Sequence, residues 1–357
     1  MTGPLNTGDT VGGRYEIRGY VGAGGMQYVY RAHDTITGRI VALKTPKNRS
    51  AVKRFKRSAI VAAKVNHPNV AKTLDYLKEA DARYLIEEFI EGEDLQAALL
   101  QRTNFVDPYS AAKVFHHLAK GVAAAHHAGV VHRDLKPTNI MVVGGYSLGE
   151  IKVTDFGIAK MAGEELIEAA EGGNETLSAS QTAVGALPYM APEVIESPRE
   201  VASPADIWSV GAMMYHLLCG EPPYGTGLRA VSKIVAAAVP PCPKFLTTNT
   251  QFAPLAKEVF DLALECLKKD PKDRPSADSL VSKCGKLCYS PGERREGLVH
   301  RIDYGSYGFI ATTHGDVFFH VSSLYGPGKI SVGDPVVFAA YSGGGAPRAH
   351  PIVVMNK

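Results

Sequence analysis

His132-Arg133-Asp134-Leu135-Lys136-Pro137-Thr138-Asn139 is the stretch on which the reading of this chain turns. Asp134 can accept the proton of a hydroxyl, Lys136 can steady a phosphate, and Asn139 can ligate a divalent cation. Downstream, Asp155-Phe156-Gly157 offers a second oxygen ligand for that cation through Asp155. Ala191-Pro192-Glu193 follows, and Arg274 in Asp270-Pro271-Lys272-Asp273-Arg274-Pro275 is placed to pair with Glu193. Upstream, Gly22-Ala23-Gly24-Gly25-Met26-Gln27-Tyr28-Val29 joins two β-prone runs, and its glycines let backbone N–H groups approach phosphates closely. Val41-Ala42-Leu43-Lys44 ends a strand in a lysine able to hold α- and β-phosphates.

The rest of the chain is consistent with an ordinary folded protein. Of 357 residues, 45% are hydrophobic and 21% charged, which excludes a disordered chain. A net charge of +3 is too mild to imply nucleic acid by itself. Five scattered cysteines form no CxxC pair, so a reducing compartment is expected, with neither a disulfide framework nor a zinc site. Cys284 and Cys288 are expected as a structural pair one turn apart on a last helix. The first twenty residues lack a signal-peptide core, and nothing approaches the ~18 apolar residues of a membrane span. A cytoplasmic protein without membrane partners is expected.

Short strands are expected over Tyr15–Tyr20, Tyr28–His33 and Arg39–Thr45, then a helix over Ala51–Val65 and a buried strand over Ala82–Ile90. After Asp94 helical spacing takes over. Asp107-Pro108 opens a long helix carrying Val114, Phe115, Leu118, Val122 and Ala125, and further helices fit Pro204–Leu218, Pro254–Leu267 and Ser276–Leu287. This is an α+β plan, a small strand lobe over 14–90 and a helical lobe over 91–287, with a cleft between them. After Tyr289-Ser290-Pro291-Gly292 the chain turns β-like again. Gly297–Asp303, Tyr307–Thr312, Asp316–Val321 and Pro335–Ala340 suggest a small closed barrel over 294–355.

Five motifs in this order make residues 14–287 resemble the bilobal eukaryotic-type protein kinases, especially the bacterial Ser/Thr kinases. The resemblance implies an ATP- and Mg2+-dependent (or Mn2+-dependent) enzyme acting on protein substrates, with Asp134, Lys136 and Lys44 catalytic and Asn139 and Asp155 on the metal. It implies ATP contacts from Gly22, Gly24 and Gly25, adenine between Val29 and Ala42, and backbone groups of Glu88 and Ile90 facing the base. Asp206 would brace the catalytic loop.

Three positions depart from the family pattern. In Arg54-Phe55-Lys56-Arg57-Ser58-Ala59, Ser58 stands where the family places the glutamate that pairs with the strand lysine. No acidic residue lies between Asp34 and Asp75 to replace it. Alignment on Tyr84-Leu85-Ile86-Glu87-Glu88-Phe89 puts Glu87 at the back of the ATP pocket. A carboxylate and an ammonium buried there unpaired would both be costly. Two readings stay open: Glu87 pairs with Lys44, or it points to solvent. Gln27 replaces a third glycine and stiffens the loop, and Ala186 replaces a threonine that would bond the catalytic Asp and Lys. An active kinase and a weakly active, ATP-binding scaffold or pseudokinase both remain in view. Between Phe156 and Glu193 lie Glu164, Glu165, Glu168, Glu171 and Glu175, then the phosphorylation candidates Thr176, Ser178, Ser180 and Thr182, whose phosphates could meet Arg133. Pairing of two kinase domains is a further expectation.

Gly305-Ser306-Tyr307-Gly308-Phe309-Ile310 and Asp316-Val317-Phe318-Phe319-His320-Val321 resemble the two nucleic-acid motifs of a cold-shock domain, an OB-like all-β barrel. The resemblance implies that Tyr307, Phe309, Phe318 and His320 stack single-stranded RNA or DNA. Over residues 293–357, six Lys/Arg against five Asp/Glu give little electrostatic pull on a polyanion. Docking of the barrel on the kinase or on a protein partner is the alternative.

Overall fold

The computed structural model describes residues 3–23, 27–47, 55, 59–156, 185–197, 201–289 and 292–356. An antiparallel sheet forms the first lobe. It is built from β1 (Thr10–Val11), β2 (Tyr15–Ala23), β3 (Gln27–Asp34), β4 (Ile40–Pro46), β5 (Thr73–Glu79) and β6 (Ala82–Glu88), in the order β1-β2-β3-β4-β6-β5. Alternation along β4 decides what reaches the cleft. Val41 and Leu43 join Tyr15, Ile17, Tyr30 and Ile86 in the outer core, so Ala42 and Lys44 face the other way. Of the expected helix over Ala51–Val65, Phe55 and the stretch 59–62 are described as helical, with Phe55 and Ala59 buried against Leu85.

The second lobe is helical, with a small sheet of β7 (Glu93–Asp94), β8 (Ile140–Val143) and β9 (Glu150–Val153) beside the cleft. Its long helix α1 (Pro108–His127) starts where the sequence says it should: the Asp107 carboxylate accepts the N–H groups of Tyr109 and Ser110, and Pro108 fills the first turn. Then come α2 (Pro192–Glu196), α3 (Pro204–Cys219), α4 (Ala230–Ala236), α5 (Phe245–Thr248), α6 (Ala253–Cys266) and α7 (Ala277–Cys284). Buried α3 crosses α6 at Gly211, where a Cβ would stand 2.5 Å from that of Cys266. Helix α7 ends at Cys284, earlier than expected, so buried Cys284 and exposed Cys288 do not share a helix.

The C-terminal segment closes into a five-stranded barrel, in the order β10-β11-β12-β14-β13. Its strands are β10 (Arg294–Asp303), β11 (Tyr307–Thr312), β12 (Gly315–His320), β13 (Pro335–Tyr341) and β14 (Arg348–Val354), around Val299, Ile310, Phe319, Phe338 and Ile352. One side of the barrel is built into the helical lobe. Tyr325, Val337 and Val353 belong to the lobe's own core cluster, and the Tyr325 hydroxyl donates to the Leu218 carbonyl at 3.1 Å. His350 stacks on Phe252 at 5.0 Å between ring centres. Arg294 donates to Asp107 at 2.9 Å, with side chains only 5% and 2% exposed. Gly326, at φ +125°, lets the chain pass where a Cβ would lie 2.3 Å from the Phe105 ring.

Candidate active site

The floor of the cleft is the loop between α1 and β8. Two non-glycine residues at the cleft hold left-handed backbone, Arg133 in this loop at φ 69° and Asp155 just after β9 at φ 62°, a conformation that costs energy and gathers at functional sites. Surrounding bonds fix it. The buried Asp206 carboxylate accepts the His132 N–H at 2.8 Å and the Arg133 N–H at 2.7 Å. His132 bonds the Thr154 carbonyl at 2.8 Å and packs on the Phe156 ring. Asp134 is thereby presented with one oxygen committed and one spare. Its Oδ2 takes Lys136 Nζ at 2.9 Å and Asn139 Nδ2 at 3.0 Å, while its Oδ1 is buried with no partner.

The roof comes from the sheet. Register pairs Val29 with Lys44 and Gln27 with Pro46. Lys44 Nζ lies 2.5 Å from Glu87 Oε2 and 2.7 Å from Asp155 Oδ1, with the lysine and Glu87 side chains 8% and 5% exposed. Of the two readings open for Glu87, the geometry gives the pairing with Lys44. Burial opposes the Lys44 charge, yet the Asp155 and Glu87 carboxylates override it and raise its pKa. Burial pushes the Glu87 carboxyl up, against the pull of Lys44. Asp155 is held below the usual carboxylate range: burial works the other way, but Lys44 and the Gln27 N–H more than offset it.

Roof and floor enclose a cleft of ≈ 430 Å³ lined by Gly22, Val29, Ala42, Lys44, Glu87, Glu88, Ile90, Asp134, Lys136, Asn139 and Asp155, with Met141 opposite the sheet. Gly24 and Gly25 lie outside the described residues. Asn139 spends its N–H2 on the Asp134 carbonyl and carboxylate, which leaves its carboxamide oxygen for a cation. With Asp155 this is a hard-oxygen pair of the kind Mg2+ takes.

Residues 15–284 match the protein kinase domain. The chain belongs to the protein kinase family. It is 31% identical to a probable serine/threonine-protein kinase of Clostridium perfringens over 294 residues, 80% of this chain and 40% of that one. Identity to a probable serine/threonine-protein kinase of Streptomyces coelicolor is 32%, covering 76% of this chain and 39% of the other. Identity to the serine/threonine-protein kinase PrkC of Bacillus subtilis is 30%, covering 75% and 39%. The chain spans about two fifths of the length of these relatives.

Other features of the kinase fold fall into place around the cleft. Arg274 grips Glu193 through two bonds, 2.6 and 2.8 Å, and bonds the carbonyls of Lys268, Lys269 and Pro204. Ala186 is buried. Beside Lys136 and Thr138 a groove of ≈ 810 Å³ runs past Tyr189, His216 and Gly220 to Gln101 and Asn104. Ser58, Thr176, Ser178, Ser180 and Thr182 lie outside the described residues. Three contacts escaped the sequence reading. Lys152 holds the Glu88 carboxylate at 2.9 Å and so ties the hinge to the small sheet. Gln27 donates to Asp155 at 2.9 Å. Asn356, beyond the barrel's last strand, bonds the backbone carbonyls of Gln101 and Arg102 at the edge of the groove. Nothing in local sequence marks such long-range partners.

On the barrel, β11 pairs with β12 so that Phe309 faces Phe318 and Tyr307 faces His320. The Phe318 ring lies 5.7 Å from Tyr307 and 5.8 Å from Phe309, and the Arg301 guanidinium sits 4.4 Å over Phe309. His320 is used differently: its Nδ1 caps the turn at Ser322, whose carbonyl accepts Asn249 of the helical lobe.

Proposed function

We propose that this chain transfers the γ-phosphate of ATP to serine or threonine hydroxyls of proteins, with a divalent cation held by Asn139 and Asp155. The observation that carries the reading is Asp134, a half-buried carboxylate lining the nucleotide cleft with its Oδ1 unpartnered, beside Lys136 and Thr138, which line both the cleft and the adjoining groove. That oxygen is free to orient a substrate hydroxyl and receive its proton as the oxygen attacks phosphorus. Lys136, bonded to the other oxygen of Asp134, stands ready for the transferred phosphate. Lys44 lies beneath Val29 for the α- and β-phosphates, and Glu87 holds it there. When bound, the cation supplies charge neutralisation along the phosphates. The groove past Tyr189 and His216 is the place for the protein substrate. Transfer of labelled phosphate from ATP to the chain or to a generic protein acceptor tests the reading. Asp134→Asn is expected to lower transfer by about 10²–10⁴-fold while leaving nucleotide binding in place. No transfer by wild type alongside normal ATP binding would favour the scaffold reading instead.

A second reading concerns the barrel, and the clustered rings of Tyr307, Phe309 and Phe318 favour it. Their ring contacts are with one another and with Tyr304, His300 and Arg301, whereas Tyr325, His350 and Arg294 make the dock. The barrel thus docks on the kinase by one side and offers single-stranded nucleic acid the other, each stacked base adding ~1–3 kcal/mol. Asn356 gives any ligand of the barrel a short route to the groove edge. Fluorescence anisotropy at low salt, with Phe309→Ala as the control that loses binding, is the measurement; no binding by wild type removes this reading.

A further inference from the structure

Gln27 occupies the point where the glycine-rich hairpin re-enters the sheet. Its neighbour two places on, Val29, faces the cleft, so the Gln27 side chain follows it there. It is 5% exposed. One end of its carboxamide is used: Nε2 donates to Asp155 Oδ1 at 2.9 Å, the same oxygen that takes Lys44 Nζ at 2.7 Å. The other end, Oε1, is buried without a partner. Buried amide oxygens nearly always find a donor or a cation. This one borders the cleft that contains Asp155 and Asn139.

A carboxamide is two-sided, an acceptor at one end and a donor at the other. Here the N–H end faces the Asp155 carboxylate. Next to a carboxylate carrying a divalent cation the preference reverses, because an N–H would point at positive charge and the oxygen at nothing. A half-turn about the terminal bond exchanges the two ends without moving the backbone, and that terminal torsion is soft. Asp155 keeps 26% of its side chain open, so the cation can reach it. Glu87, meanwhile, retains Lys44 when Asp155 turns to the metal.

We propose that Gln27 is a positioning residue for the divalent cation that Asp155 and Asn139 would hold: its N–H2 fixes Asp155, and its unpartnered Oε1 is within a half-turn of offering that cation a further oxygen. This rests on the cleft being a metal–nucleotide site, as proposed above. It gives the replaced glycine a role that bare loop stiffness does not.

The test uses the full chain with ADP and Mn2+, followed by the Mn2+ electron-paramagnetic-resonance signal, alongside fluorescent-ADP titration with and without metal. Gln27→Gly is expected to bind Mn2+ in the presence of ADP on the order of tenfold more weakly, a larger loss than any it causes in metal-free ADP binding. Gln27→Glu, which keeps an oxygen at the same reach, is expected to restore Mn2+ affinity and to weaken metal-free ADP binding by crowding Asp155. Mn2+ binding to Gln27→Gly as tight as in wild type or tighter overturns the assignment, and so does failure of Gln27→Glu to rescue. Should wild type bind no ADP under either condition, the nucleotide-site reading falls and takes this inference with it. If wild type binds Mn2+ with ADP and Gln27→Gly does so equally, the inference alone falls.

Discussion

The two walls of the cleft are built on different principles. The floor is held largely from behind: His132 and Arg133, which flank Asp134 in the chain, are fixed by Asp206, Thr154 and Phe156. The roof is held from within, since Lys44, Glu87, Asp155 and Gln27 are one another's partners inside the cleft itself. A wall braced from behind can present unpaired atoms, such as Asp134 Oδ1. A wall braced from within must exchange partners whenever a ligand arrives. The family pattern puts the acid for this lysine on the following helix; here the acid is on β6, which pairs directly with the lysine's own strand β4.

The contrast can be broken most decisively on the floor. Asp134→Asn is expected to lower phosphate transfer by about 10²–10⁴-fold with unchanged ADP affinity and unfolding midpoint, read by labelled transfer and urea titration. A loss of stability of several kcal/mol there would show the floor to be self-supporting like the roof. Lys44→Met sharpens the other side. It leaves the Glu87 carboxylate buried without its cation, so unfolding stability is expected to fall by about 3–5 kcal/mol, beyond any loss of activity. Lys44→Met combined with Glu87→Met is expected to recover most of that stability. If the single and double variants unfold alike, the two charges are not coupled. The smallest effect is one of pH. Burial holds the His216 imidazole down at about 4, against an ordinary value of 6.5, and its Nδ1 bonds the Tyr189 hydroxyl at 2.8 Å. Between those values the unfolded chain binds a proton that the folded chain refuses, so stability declines as pH falls from about 6.5 to 4. His216→Gln is expected to flatten that slope in thermal unfolding.

Most of the floor was legible in sequence because it is local: the eight residues His132–Asn139 carry the proposed base, phosphate lysine and metal amide together, and the fold keeps them side by side. The roof was legible only through the family resemblance. A stretch empty of acids left Lys44 without a neighbour, and alignment on the family pattern set Glu87 at the back of the same pocket. Its second partner, Gln27, could not be read, because a bond across 128 residues depends on where two hairpins meet. Strand β14 was missed for a different reason. Gly343, Gly344, Gly345 and Pro347 lead into it and Pro351 interrupts it, so its propensity signal is weak and barrel closure decides it. The barrel's double character was half visible. The aromatic pattern was written in alternation along β11 and β12, whereas Arg294 and Asp107 look like any surface charges until the fold buries them together.

That buried pair changes what counts as a unit of this molecule. The kinase match ends at residue 284, yet a chain cut soon after it would leave the Asp107 cap without its guanidinium and lay Phe105, Phe245 and Phe252 open where Tyr325 now sits. The boundary drawn by family pattern and the boundary drawn by burial differ by the whole barrel. By family pattern the barrel lies outside the kinase domain; by burial it shares the core of the helical lobe.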